Sequence, residues 1–367
     1  MRRRTDGSSL QPRLVDNGPA GVTSCTVPIL RKPYLIFLAD VTLASDAKTG
    51  FGLRDWCGAD VIGECRLPQG TVSLGLPMLR PQEAALAGAG SLVIGVAVVG
   101  GQLPRTWLPP LVEALDHGLD VVSGMHTRLT SFPELVEAAA RGGGRLVDVR
   151  ATDRVLPTGT GIKRPGKRVL TVGTDCALGK KYTALALTRS LQAAGANATF
   201  RATGQTGIMI AGDGIAVDAV VADFVAGAAE LLSPANDPDH WDVIEGQGAL
   251  FHPAYAGVTL GLIHGSQPDA IVLCHDPSRH TIEDYPHVPL PSLGVAIDRY
   301  LEAARLTNPD VRCAGIAINS SSLDEREWLA YQSRLAAEFD LPICDPVRTG
   351  VDAIAQRLLQ PRRPESQ

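Results

Sequence analysis

The sequence predicts an α/β protein built as two three-layer domains with mostly parallel sheets. Three observations carry that reading. The chain has 367 residues, more than one hydrophobic core usually supports. Short apolar runs alternate with helical patterns in two successive series, the rhythm of βα units. A stretch at 151–167, rich in glycine, proline and cations and without a periodic apolar face, separates the series and reads as a linker.

Taken in order, residues 1–30 are polar and arginine-rich and are expected to form a mobile tail. The first domain, 34–150, has apolar runs at 34–39, 91–99, 119–122 and 145–149, which suit strands buried on both faces. Helical patterns lie between them at 81–87, 107–117 and 132–141. Pro81 and Pro133 stand near two helix starts, where a missing N–H costs nothing. The second domain, 168–360, offers strands at 168–172, 198–202, 241–245, 269–275, 313–319 and 341–344. Its helices are expected at 180–194, 218–232, 292–305, 324–338 and 350–359.

Composition narrows the function. An apolar fraction of 45% and a mean hydropathy of +0.07 describe a soluble globular chain, and no apolar run is long enough to span a bilayer. A net charge of −5 gives no overall basic field, which argues against a nucleic-acid partner. Seven scattered cysteines without C-x-x-C spacing read as reduced thiols rather than a disulfide framework or zinc site. Arg2-Arg3-Arg4 lacks the apolar region of a signal peptide, so a cytoplasmic protein is expected, with a homo-oligomer left open.

The densest chemical signal is Gly173-Thr174-Asp175-Cys176-Ala177-Leu178-Gly179-Lys180-Lys181. A strand enters it and a helix leaves it, the layout in which loop amides and a helix N-terminus cradle phosphates. Gly173, Thr174, Asp175, Cys176, Gly179, Lys180 and Lys181 are therefore candidate phosphate-binding residues, against the plainer reading of a tight turn. The spacing Gly-x5-Gly-Lys is one residue longer than the common form. Lys181 also stands where Ser or Thr would hold Mg²⁺, and Thr183 is two positions on, badly placed to replace it. The loop suits gripping phosphates better than cutting them, and no metal site is expected.

In open α/β sheets ligands bind beyond the carboxyl ends of strands. The run after 198–202 supplies Arg201, Thr203, Gln205 and Thr206 as candidate substrate contacts, with a plain turn as the alternative. Glu245 closes an apolar strand beside two glycines, and partial desolvation would raise its pKa and suit proton abstraction. Structural pairing of Glu245 with Lys180 is the alternative. His252 can serve as base instead, and Gln247 is a candidate oxyanion donor. In the first domain Lys48 and Arg128 are candidate anchors for an acidic substrate, against the default of surface cations.

Two resemblances meet at these residues. Gly173 to Lys181 together with Val243-Ile-Glu-Gly-Gln-Gly248 resembles the loop and glutamate strand of dethiobiotin synthetase-type P-loop enzymes, which implies ATP and Mg²⁺. That likeness fails at Lys181. A broader one runs from Tyr34 onward: Gly118-Leu-Asp-Val-Val-Ser-Gly-Met-His126, Ala202-Thr-Gly-Gln-Thr-Gly207, Glu245-Gly-Gln-Gly-Ala-Leu-Phe-His-Pro-Ala-Tyr255 and His264-Gly-Ser-Gln-Pro-Asp269 are similar to the DgcN family. This resemblance implies a Rossmann-like N-terminal domain and a P-loop, dethiobiotin synthetase-like C-terminal domain. It also implies transfer of an acetyl group from acetyl-CoA to the amino group of an acidic D-amino acid, D-glutamate foremost. Coenzyme A carries a pyrophosphate and a 3′-phosphate, so a phosphate cradle without a metal-binding hydroxyl suits it. The alternative is an ATP/Mg-dependent ligase or kinase.

Overall fold

The computed structural model describes residues 30–151 and 154–360. The expected tail, with Arg2-Arg3-Arg4 and Cys25, lies almost wholly outside the described residues. The first sheet is five parallel strands in the order β2-β1-β3-β4-β5. They are β1 (Tyr34–Phe37), β2 (Val61–Cys65), β3 (Ser91–Ile94), β4 (Asp120–Ser123) and β5 (Leu146–Asp148). Helices α1 (Lys48–Cys57), α2 (Pro81–Leu86), α3 (Leu108–Asp116) and α4 (Pro133–Gly142) cross between them. β1, β3 and β4 are buried throughout, which is why their sequence reads as unbroken apolar runs rather than an alternation. Pro81 and Pro133 do occupy first-turn positions of α2 and α4.

The second sheet has six parallel strands in the order β13-β12-β9-β6-β8-β7. They are β6 (Lys167–Gly173), β7 (Ala198–Arg201), β8 (Trp241–Ile244), β9 (Ala270–His275), β12 (Arg312–Ile318) and β13 (Ile343–Cys344), with a separate hairpin of β10 (Thr281–Ile282) and β11 (Tyr285–Pro289). The helices of this half are α5 (Lys180–Ala193), α6 (Gln205–Ala211), α7 (Val225–Leu232), α8 (Ala256–Ser266), α9 (Leu293–Arg305), α10 (Glu325–Phe339) and α11 (Asp352–Leu359). Asp324 and Glu327 close a capping box at the start of α10.

Three differences from the sequence reading matter for the site. Residues 218–232 do not form one helix. Two single 3₁₀ turns, at Val217–Ala219 and Ala222–Phe224, precede α7. Asp218 is drawn out of the helical path by an ion pair with Arg150 of the first half, and β-branched Val220 and Val221 follow it. Helices α1, α6 and α8 were not anticipated, because Gly50, Gly52, Gly207, Gly257, Gly261 and Gly265 break their apolar periodicity. The linker is not free. Glu230 accepts the amides of Thr160 and Gly161, and Arg164 donates to the carbonyls of Ser233 and Gly265. Fully buried Arg168 donates to the carbonyls of Arg164, Pro165, Gly166, Ser233 and Pro234, tying the linker to the second sheet.

The two halves are also packed against one another. Ile208 and Met209 of α6 belong to the hydrophobic core of the first sheet. Thr49 and Thr206 share a hydrogen bond of 2.8 Å between α1 and α6. Tyr182 donates to Asp55 at 2.8 Å, and the Arg189 guanidinium lies 4.1 Å over the Trp56 ring. Among the described residues no helix is long and apolar enough to cross a membrane. The six cysteines among them are all free thiols.

Candidate active site

All strands of both sheets run parallel, and the carboxyl ends of the two sheets open onto one cavity of about 900 Å³. Lys48 comes from beyond β1, Gly100 and Gly101 from beyond β3, His126 from beyond β4 and Arg150 from beyond β5. Opposite them stand the loop from Cys176 to Lys181 beyond β6, Gln205 and Thr206 beyond β7, and Glu245 and Gln247 beyond β8. Asn319 and Ser320 after β12, with Asp345 and Arg348 after β13, complete the far wall. A cavity where strand order reverses beside such ends is the usual ligand position in these sheets.

The glycine loop is sharply turned. Ala177 (φ 52°) and Gly179 (φ 99°) both take the left-handed conformation, the kind of backbone from which anion-binding nests of amides are built. For Ala177 that conformation is strained, a cost usually kept where a ligand needs it. The buried Lys180 ammonium donates to the Asp175 carbonyl at 2.7 Å, holding the loop closed from within, and burial lowers its pKa. Behind the loop, the Thr174 hydroxyl bonds His275 Nδ1 at 3.0 Å, and burial pushes His275 down to about 4, so it is neutral.

Asp175 is likewise behind the loop and fully buried. Its Oδ2 accepts from Arg279 and from the Glu283 amide, and its Oδ1 from the Cys176 amide. Among the described residues Asp175, Cys176 and His252 bring three possible ligand atoms within 4.8 Å of one another. The Asp175 oxygens are already committed to those protein donors, and burial raises the Cys176 thiol above its ordinary value.

Glu245 is 3% exposed. Its Oε2 accepts the amides of Thr203 (2.9 Å) and Gly204 (3.1 Å), while Oε1 has no donor among the described residues. Burial raises its pKa above the ordinary 4.5, with those two amides and the Lys181 charge opposing the rise. Lys181 is half-buried and is pushed down to about 8 by burial, helped by Lys48 and opposed by Glu245 and Asp55. The cation acting on Glu245 is thus Lys181, with Asp218 acting in the opposite sense, and the alternative pairing with Lys180 is not formed.

The other sequence candidates divide cleanly. Cys176, Gly179, Lys180, Lys181, Gln205, Thr206, Gln247, Glu245 and Lys48 line the cavity. Gly173, Thr174, Asp175 and Thr203 stand behind it as supports, the Thr203 hydroxyl donating to the Glu245 carbonyl at 2.6 Å. His252 is buried and does not itself line the cavity: its ring stacks 4.4 Å from that of Tyr255, which does, and its Nδ1 accepts the Ala254 amide. Arg201 does not line the cavity either, its guanidinium being paired with Asp242 at 2.7 Å. Arg128 is exposed and does not line the cavity. Thr183 turns its hydroxyl to the Gly179 carbonyl. Arg150, Tyr255, Glu283 and Asp345 also line the cavity and carry no local sequence signal: Arg150 is brought there from the first half, and the other three by the folding of the second half.

With that geometry in place, comparison with known proteins is informative. DUF1611, a domain of unknown function described as a P-loop domain, matches residues 157–355, and its companion DUF1611_N, described as a Rossmann-like domain, matches 65–152. A D-glutamate N-acetyltransferase of Pseudoalteromonas sp is 46% identical over 329 residues, covering 90% of this chain and 99% of that one. Another, of Tritonibacter scottomollicae, is 47% identical over 331 residues, covering 89% and 99%. The crystal structure of a DUF1611 family protein from Anabaena variabilis is 34% identical and superposes with a TM-score of 0.80 over 90% of this chain and all of that one. Two α/β domains of this kind, together with relatives matched along nearly their whole length, make the chain a member of the DUF1611 (DgcN) family.

Proposed function

We propose that this protein is an N-acetyltransferase that moves an acetyl group from acetyl-CoA to the amino group of D-glutamate. The observation that carries the reading is one cavity between the carboxyl ends of the two sheets, with the left-handed turns of the glycine loop on one wall and a buried carboxylate of raised pKa beside it. The similarity to two D-glutamate N-acetyltransferases points the same way.

The residues present fit the donor. The glycine loop at 176–179 and Lys180 suit its phosphates. Acetyl-CoA supplies the acetyl group as a thioester. An acceptor amine must lose a proton before its nitrogen attacks the thioester carbonyl and the C–S bond breaks to release CoA as the thiolate. Glu245, with Oε1 free of any donor among the described residues and a raised pKa, is the proposed base. The Gln247 side-chain amide, held at 3.2 Å to the Thr203 hydroxyl, has a second hydrogen to offer the developing oxyanion. His252 takes no part in this scheme.

The C-terminal half is proposed to be dethiobiotin synthetase-like in architecture, but the corresponding ATP- and Mg²⁺-dependent ligase or kinase activity fits less well. That chemistry needs a loop hydroxyl, and Lys181 occupies its place while the Thr183 hydroxyl faces its own helix. Free thiols, four of them buried, suit a cytoplasmic setting, and a homo-oligomer is compatible with the reading. The domain limits proposed are 34–150 and 168–360, with 151–167 joining them.

Incubation with labelled acetyl-CoA and D-glutamate, L-glutamate or other amines tests the proposal. Acetylated D-glutamate is the expected product, and no acetylated amine from any acceptor would sink it. Lys180→Met is expected to weaken CoA binding about 10- to 100-fold, the loss of one charge-assisted contact. Titration calorimetry reads this directly, and unchanged affinity would remove Lys180 from the phosphate seat.

A further inference from the structure

Lys181 stands where a metal-binding hydroxyl would follow the loop lysine, and a role in gripping phosphate would turn its ammonium into the glycine loop. It points the other way. A Cβ placed on Gly52 of α1 would lie 2.9 Å from Lys181 Nζ and 2.9 Å from Thr206 Cγ2, so the ammonium has crossed from the second half to the face of α1. The Tyr182 ring lies 5.2 Å from Nζ. No protein acceptor lies within hydrogen-bond distance of Nζ among the described residues. Lys48, one turn before Gly52 on the same helix, lines the same cavity and has no ion pair among the described residues.

Glu245 acts on Lys181 through its charge, but its Oε2 is held by the Thr203 and Gly204 amides. A half-buried ammonium without an acceptor, brought to the helix that carries a second cation, is an unfavourable arrangement that an anionic ligand relieves.

We propose that Lys181 and Lys48 together hold a carboxylate of the amino-acid acceptor, so that the second loop lysine serves the acceptor and not the donor's phosphates. The identity of the ligand as an amino acid rests on the acetyl-transfer reading; the carboxylate seat itself does not. The consequence is a division of the cavity. The donor's phosphates lie at the glycine loop, and the acceptor is seated between α1 and the start of α5, beside Glu245. Acidity of the acceptor is then read by one lysine from each half, and an acceptor seat exists only when the halves are packed together.

The test uses glutarate, which has two carboxylates and no amine, and CoA, each titrated separately against the full chain by calorimetry. Wild-type protein is expected to bind both. Lys181→Met should weaken glutarate about 10- to 100-fold and leave CoA unchanged, the loss of one charge-assisted contact. Lys181→Arg should retain glutarate binding. In turnover, Lys181→Met should raise the KM for D-glutamate with the KM for acetyl-CoA unmoved. Lys48→Met, at an exposed position that tolerates change, should weaken glutarate in the same direction and stands in if Lys181→Met does not fold.

The proposal is overturned if wild-type protein does not bind glutarate, if the two Met variants bind it normally, or if Lys181→Met loses CoA instead. Failure of the acetyl-transfer reading has a different signature, namely glutarate binding without any acetylated product.

Discussion

Glu245→Gln is expected to lower kcat/KM by about 10²–10⁴-fold, the usual contribution of a positioned general base, without loss of folding. The amide is close to the carboxylate in shape, and its oxygen can still accept the amides of Thr203 and Gly204. Stability should move in the opposite sense to activity. Burial raises the folded-state pKa of Glu245 above its ordinary 4.5. Its ionised form therefore costs stability, a cost absent below the unfolded value and fully present above the folded one. The Gln variant should be at least as stable as wild type at neutral pH, as thermal melts would show. In the wild-type enzyme the acid limb of kcat/KM should lie above pH 4.5, because proton removal needs the ionised carboxylate. A variant with wild-type turnover would dismiss Glu245 as the base, and a variant that melts early would make its role structural.

Gly246→Ala should be the most damaging small substitution in the site. A Cβ there would lie 1.7 Å from the Thr171 carbonyl of β6 and 3.2 Å from Lys180 Cδ. Backbone has to move, because the obstacle is a strand carbonyl and not the end of a flexible side chain. The Gly246 amide would also lose its 2.9 Å bond to the Thr171 hydroxyl. The expected cost is about 3 kcal/mol, at the upper end for overpacking, or a fall in Tm on the order of 10 °C for a domain of this size. Both CoA binding and turnover should fall, since Glu245 and the glycine loop are pushed apart together. Calorimetric melting and a CoA titration check both effects. A variant with wild-type Tm would show that the β6–β8 junction has slack that the geometry does not contain.

Most strands were legible because their burial on both faces writes them as continuous apolar runs. β1, β4, β6, β8 and β9 lie within a residue or two of the runs that predicted them. β2 was missed, for Val61-Ile62-Gly63-Glu64-Cys65 carries a glutamate, whose Oε2 accepts the Leu74 amide. The run at 91–99 was read too long, since only Ser91–Ile94 pairs in the sheet and the remainder turns toward the cavity. α1 was invisible because two of its first five residues are glycines, the same absence of side chains that lets Lys181 and Thr206 approach it.

At the site, local sequence determined what is local. The strand, the glycine loop, Lys180 and the helix after it are contiguous, so their spacing alone made the strand–loop–helix layout legible. Glu245 could be found from its place at the end of an apolar strand. Partners distant in sequence were decided only by tertiary packing. Arg201 went to Asp242, His252 to Tyr255, and Lys181 crossed to α1, because a side chain's partner depends on which surfaces meet and not on its neighbours in the chain. The residue that looked like a flaw in a phosphate loop thus acquires its proposed meaning only from a helix more than a hundred residues away.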